Sequence, residues 1–206
     1  MMYTLNMTDE EIRRILRKKR KRKLAKRRIT AILVAAAIAV GGGLLAGRAI
    51  GNKMYADEMK NIVSVAEDKP IVKVAMEQLG NKGGEPFWSW YGFKNHEEWC
   101  ALFISWCADK CGYLKSGAAP KFALVSDGAD WFVLRDQWRL VGDTPEPGDL
   151  IFFDWEQDGS RDHVGIVTAV VGDKVFTVEG NSSDLCRQKR YSLDDPVIYG
   201  YGVIKE

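Results

Sequence analysis

Apolar positions change period along this chain, and the changes divide it into pieces. Ile29 to Gly47 is a run of 19 residues without a charge. A helix needs ~20 apolar residues to cross the ~30 Å hydrocarbon core, so the run predicts a single transmembrane helix over about 29–50. Residues 51–67 are polar with scattered apolar positions (Met54, Met59, Ile62, Val63, Val65) and read as a helical stalk. Pro70 to Leu79 follows Asp68 as N-cap, carries Pro in its first turn and meets Gly80 as a stop, which predicts a helix. Residues 80–98 read as a Gly- and aromatic-rich loop; helices are expected over about Trp99 to Cys111, ended by Gly112, and over Ser126 to Leu134.

Beyond Leu134 the period shortens. Pro145-Glu146-Pro147-Gly148-Asp149 is a turn and Leu150-Ile151-Phe152-Phe153 a short apolar strand. His163 to Val171 and Lys174 to Glu179 are β-rich runs on either side of Gly172-Asp173, a strong hairpin signal. Val197 to Ile204 predicts a closing strand. Helices first and antiparallel strands afterwards imply an α+β domain with its helices on one side of a sheet.

Charge sharpens the N-terminal reading. Residues 1–28 hold 12 Lys and Arg against three acids, a balance of +9, whereas residues 29–206 balance at −7. A basic arm alone could address nucleic acid, but an apolar span directly after it points to a membrane instead. The Lys/Arg-rich flank stays cytoplasmic, so residues 51–206 face outward. Ala37-Ile38-Ala39 has the A-x-A form of a signal-peptide cleavage site, which would export the same domain without the anchor. The expected division is a basic cytoplasmic arm at 1–28, an anchor at 29–50, a stalk at 51–67 and a catalytic domain at 68–206.

Chemistry concentrates in that last piece. Cys100 stands at or near the start of a helix, where unpaired N–H groups and the helix dipole favour a thiolate. Asn95-His96-Glu97-Glu98 resembles a capping box that would begin the helix earlier; a start nearer Glu98 is expected. His163, one of two histidines, begins a strand 63 residues later, and Glu179 and Asn181 follow it by 16 and 18 residues. Two apart on the hairpin's second strand, Glu179 and Asn181 should share a face and present a carboxylate or amide to the imidazole. A nucleophile, a base and a group that fixes the base are what a cysteine hydrolase requires.

Four segments taken together, Trp99-Cys100-Ala101-Leu102-Phe103, Pro147-Gly148-Asp149-Leu150-Ile151-Phe152-Phe153, Asp162-His163-Val164-Gly165-Ile166-Val167 and Val178-Glu179-Gly180-Asn181, resemble the CHAP family over about residues 68–206. These are cysteine, histidine-dependent amidohydrolases/peptidases with a compact papain-like fold. The resemblance implies a bacterial peptidoglycan hydrolase with Cys100 as nucleophile, His163 as base, Glu179 orienting His163, and Asn181 as a further polar active-site group. The related NlpC-type peptidases usually place a second His at the orienting position, where this chain has Glu and Asn. A stem-peptide endopeptidase of that type, and a non-catalytic wall-binding module of a surface or transfer apparatus, are the alternative readings.

The remaining candidates are weaker. Trp90 and Tyr91, in the loop leading to Cys100, could wall a groove for sugar or peptide. Asp154-Trp155-Glu156-Gln157-Asp158-Gly159 begins like a calcium loop but reaches Gly165 at its twelfth position instead of Glu. The acidic calcium site that some CHAP enzymes carry before the Cys lacks its Asp-x-Asp-Gly form in Glu85 to Trp99 and is not carried over; no cofactor is expected, with calcium in the 154–159 loop as the alternative. Cys107 and Cys111 lie four apart, too far for a mutual disulfide. Either could pair with Cys186 or stay a buried thiol. A zinc site from these three and His96 has no usual ligand spacing.

Overall fold

The computed structural model describes residues 68–205. The expected arm, anchor and stalk at 1–67 lie outside them; no helix among the described residues is long and apolar enough to cross a membrane. The chain runs through helices α1 (Pro70–Met76), α2 (Glu85–Tyr91), α3 (Cys100–Lys110), α4 (Tyr113–Ser116) and α5 (Val125–Leu134). Strands β1 (Trp138–Leu140), β2 (Leu150–Phe153), β3 (His163–Val171), β4 (Lys174–Glu179), β5 (Arg187–Ser192) and β6 (Ile198–Gly202) follow. The fold is α+β, as the order of periodicities implies.

All strand pairs are antiparallel, in the order β1-β6-β2-β3-β4-β5. Alternation sorts their side chains. Leu150, Phe152, Val164, Ile166 and Val178 join the cluster that contains the buried face of α3. Ile151, Phe153, Val167, Val175 and Tyr201 build a second cluster. Both faces of β2 are therefore buried, which is why Leu-Ile-Phe-Phe reads as an unbroken apolar run.

Helix α1 differs from expectation at both ends. Its N-cap is Lys69 rather than Asp68, and it ends at Met76 with Glu77 as C-cap. The chain then passes through turns to Gly80, whose N–H donates to Cys186 O at 2.9 Å; this docking onto the segment before β5 replaces a last helical turn. The expected loop at 80–98 contains α2, started by Pro86 in its first turn and closed by Gly92 in the left-handed conformation.

Helix α3 begins at Cys100, with Trp99 as N-cap and no side-chain cap bond. The Asn95 capping box does not form. Two glycines let other segments close on Trp99. A Cβ at Gly84 would stand 2.3 Å from the indole, and one at Gly180 would stand 2.6 Å from Phe103 Cβ and 2.8 Å from Trp99. Trp99 is thereby fully buried, stacked on Phe87 at 5.3 Å between ring centroids.

Candidate active site

Three elements converge at one end of the sheet. Cys100 is the first residue of α3, so its thiol sits where the helix presents unpaired N–H groups and partial positive charge. His163 is the first residue of β3, opposite Phe153 of β2. Glu179 is the last residue of β4. His163 Nε2 and Glu179 Oε2 are 3.0 Å apart, and the Cys100 thiol lies near enough to the same imidazole to help raise its pKa. With Nε2 taken by Glu179, Nδ1 is the ring nitrogen left for the thiol.

Exposure divides the roles. Cys100 and His163 keep 7% and 9% of their surface accessible, whereas Glu179 keeps 1%. The groups that would meet a substrate are reachable and the carboxylate behind them is not. Burial alone lowers the His163 pKa, but the hydrogen bonds and charges of Cys100 and Glu179 outweigh it and raise the value to about 9. The imidazole is thus held as the cation that can pair with a thiolate and later release a proton.

Glu179 is itself held. Thr177 Oγ1, on the same strand face, donates to Oε1 at 2.6 Å, and Tyr191 OH donates to Oε2 at 3.3 Å. An ionised carboxylate only accepts, so three donors suit its charged form. Burial, then the nearby Glu179 charge, raises the Tyr191 pKa and keeps that donor protonated. Reaching His163 requires the Glu179 side chain to run across Gly165, its neighbour on β3. A Cβ there would lie 2.7 Å from Glu179 Cγ.

Aromatic rings surround the base. Phe153 and Trp155 lie 5.7 and 6.0 Å from the His163 ring, and Trp155 stacks on Phe153 at 4.8 Å with 6° between planes. Tyr191 closes the group at 4.8 Å from Phe153. Trp155 is 40% exposed, so an indole surface opens to solvent beside the base. Thr177, Tyr191 and Trp155 were not singled out by sequence. Thr177 and Tyr191 act through cross-strand placement, Tyr191 from a strand without a periodic signature; an aromatic two residues past an apolar strand was the only available hint for Trp155.

Asn181 departs from expectation. Strand β4 ends at Glu179, and Asn181 takes the left-handed conformation with φ 59°. Its amide donates to Glu98 Oε2, away from His163. The two residues do not share a strand face because the chain turns between them at Gly180. Trp90 and Tyr91 end α2, packed edge-to-face at 6.1 Å, with the Lys121 ammonium 4.7 and 4.4 Å from their rings.

The acidic loop after β2 is closed on itself. Asp154 accepts from the N–H groups of Asp158 and Gly159, and Asp162 from that of Trp155. Among the described residues no three His, Cys, Asp or Glu side chains converge as a metal site would need. None of the four cysteines is in a disulfide. Burial, followed by the neighbouring Glu179 charge, pushes the Cys186 thiol up to about 12. Burial, followed by Cys111 and Cys186, raises Cys107 well above the usual thiol range.

Residues 90–181 match the family model of the CHAP domain, a span that begins at Trp90 and takes in Cys100, His163 and Glu179. The chain carries a CHAP domain. The match ends at Asn181, so β5 and β6 lie outside the matched part of the CHAP domain although β5 supplies Tyr191 to the site. No curated protein matches the chain. A solved structure from Staphylococcus aureus subsp. aureus Mu50, described as similar to a lipoprotein of the NLP/P60 family, aligns with a TM-score of 0.38 at 18% identity. The alignment covers 71% of this chain and 42% of that one, so the chain spans less than half of that protein.

Proposed function

We propose that the chain is a membrane-anchored peptidoglycan hydrolase that cleaves a cell-wall amide bond through a Cys100 thioester. The observation that carries this reading is the buried Glu179 carboxylate, 3.0 Å from His163 Nε2, behind an imidazole whose pKa Cys100 and Glu179 together raise. The CHAP domain supplies the substrate class.

The chemistry follows from the arrangement. The thiolate of Cys100 adds to the amide carbonyl, and negative charge develops on the oxygen beside the N-terminus of α3, where unpaired N–H groups favour it. Collapse of this intermediate breaks the C–N bond while His163 Nδ1 gives its proton to the departing amine. The neutral imidazole then takes a proton from water, and the hydroxide cleaves the thioester, restoring thiolate and imidazolium. Glu179 accepts the Nε2–H bond throughout and keeps Nδ1 aimed at sulfur. No cofactor enters these steps.

Asn181 belongs to the rim in this reading, bonded to Glu98 two residues before the nucleophile. Trp155 offers an apolar surface to the substrate on the His163 side, and Trp90 and Tyr91 are its further contacts in this reading. The charge contrast across residues 29–50 supports a cytoplasmic N-terminus and an outward catalytic domain.

Incubating purified wall with the full chain and identifying the released muropeptides by mass spectrometry tests the function. New ends that appear with the wild type and not with Cys100→Ala are expected, and their chemistry separates an amidase from a stem-peptide endopeptidase. Intact muropeptides with both proteins would leave a wall-binding module. Protease added to wall-stripped cells should remove the domain after residue 50; full protection would overturn the topology.

A further inference from the structure

The turn between β4 and β5 is bound to the segment that leads into the nucleophile. Gly180 packs under Phe103 and Trp99 without room for a Cβ. Asn181 bonds Glu98. Asp184 Oδ1 accepts from the Trp99 indole Nε1 at 3.3 Å and lies 3.0 Å from His96 Nε2. The Asp184 carbonyl also accepts from Gly83 N–H at 3.1 Å, tying the turn to the loop before α2. Asn181, Ser183 and Asp184 all have positive φ, between 54° and 59°. Three such residues in four positions need external contacts to hold them.

We propose that Asp184 is a positioning residue for the nucleophile, fixing Cys100 through its hydrogen bond to the indole of Trp99. Trp99 is the N-cap of α3, so its orientation sets where the first residue of the helix stands. Its ring is confined by Phe87, Gly84 and Gly180, and its one polar atom is spoken for by Asp184. The same turn begins at Glu179, which holds the base. Six residues, 179–184, therefore set the distance between the two reacting groups: Glu179 acts on His163 and Asp184 on Cys100. His96 and Trp99 keep the Asp184 carboxyl below the usual carboxylate range, so at neutral pH it is an acceptor for the indole.

The inference rests on Cys100 being the nucleophile, and the test separates the two ideas. The full chain, solubilised from membrane, is compared with Asp184→Ala, Asp184→Asn, Trp99→Phe and His96→Ala. Three quantities are read: the rate of Cys100 alkylation by iodoacetamide at pH 7, located by peptide mass spectrometry, and kcat and KM for muropeptide release. Asp184→Ala and Trp99→Phe should each lower alkylation and kcat roughly tenfold with KM within about twofold, since displacements below 1 Å already cost rate. Asp184→Asn keeps an oxygen acceptor and should recover most of the loss. His96→Ala removes the His96 contact to Asp184 alone and should stay near wild type. Asp184→Ala and Trp99→Phe combined should be no worse than either.

Unchanged alkylation in Asp184→Ala, failure of Asn to rescue, or a His96→Ala loss equal to that of Asp184→Ala would each overturn the proposal. If Asp184→Ala does not fold, Trp99→Phe against His96→Ala still decides. Alkylation changes without any wall hydrolysis in the wild type would retain the positioning role and reject the hydrolase.

Discussion

Replacing Gly165 with alanine tests the His163–Glu179 pair without touching either residue. The new methyl would lie 2.7 Å from Glu179 Cγ, whereas carbon atoms rest at about 3.5–4.0 Å. One of them has to retreat by about 1 Å. Val178 O at 3.3 Å and Ile151 Cγ2 at 3.4 Å already crowd the methyl from other sides. Glu179 is pinned by Thr177 and Tyr191 as well as His163. The methyl is fixed to the backbone, so Glu179 Cγ is what retreats, and a 3.0 Å hydrogen bond lengthened by that amount is no longer one. Misplacement of about 1 Å costs on the order of a hundredfold in rate, while overpacking should cost about 1–3 kcal/mol of stability.

Steady-state muropeptide release gives the first number and denaturant unfolding the second. Because the loss runs through Glu179, the substitution in a Glu179→Gln background should cost little further rate. Activity within about threefold of wild type for Gly165→Ala, or full additivity with Glu179→Gln, would refute the reasoning.

His163 has its pKa raised to about 9 in the folded chain, above the unfolded value of about 6.5. Its contribution to stability is full below about pH 6.5 and is lost as pH rises through about 9. The pH profile of kcat/KM should accordingly stay high through neutrality and fall near pH 9, and Glu179→Gln should move that fall to lower pH; an unmoved alkaline limb would remove Glu179 from its role. Cys100→Ala should abolish hydrolysis with melting temperature little changed, whereas His163→Ala should abolish it and lower the melting temperature, because the buried Glu179 carboxylate loses its partner; muropeptide release and circular dichroism measure the two effects. Trp155→Ala should raise KM several-fold with kcat nearly constant, as expected for an indole that touches substrate but not the reacting atoms; a loss confined to kcat would contradict that placement.

Sequence reasoning was strongest where periodicity and punctuation agree. Leu150–Phe153 and the Gly172-Asp173 hairpin stand where their patterns put them. Helices α3 and α5 begin and end within a residue of expectation. Strand β5, Arg-Gln-Lys-Arg-Tyr-Ser, escaped notice because an edge strand with four exposed positions has no apolar alternation. Strand β1 has only three residues, and α2 is a short helix inside a Gly-rich stretch, where Pro86 and Gly92 were the available signals. At the site, Cys100, His163 and Glu179 were readable because they sit at element ends with a polar residue in an apolar run. Asn181 was misplaced because its assumed strand had already ended, and nothing local in the sequence marks Gly180 as a turn rather than a strand glycine. Thr177, Tyr191 and Asp184 became visible only through cross-strand and loop contacts.

The reacting groups come from the start of α3 and the start of β3, and the residue that aligns them comes from the end of β4. No two of them are neighbours in the chain, so no fragment short of the docked helix and paired hairpin contains a competent centre. On the proposed reading, hydrolytic power is a property of the cooperative native state rather than of any peptide segment. A nascent chain would carry its thiol and imidazole as separate, ordinary side chains. An opening of the 180–186 turn, where three left-handed residues are kept in place by a few contacts, would separate Cys100 from the His163–Glu179 pair while the rest of the domain stays folded. The fold thus acts as its own safety catch, releasing reactivity only on completion.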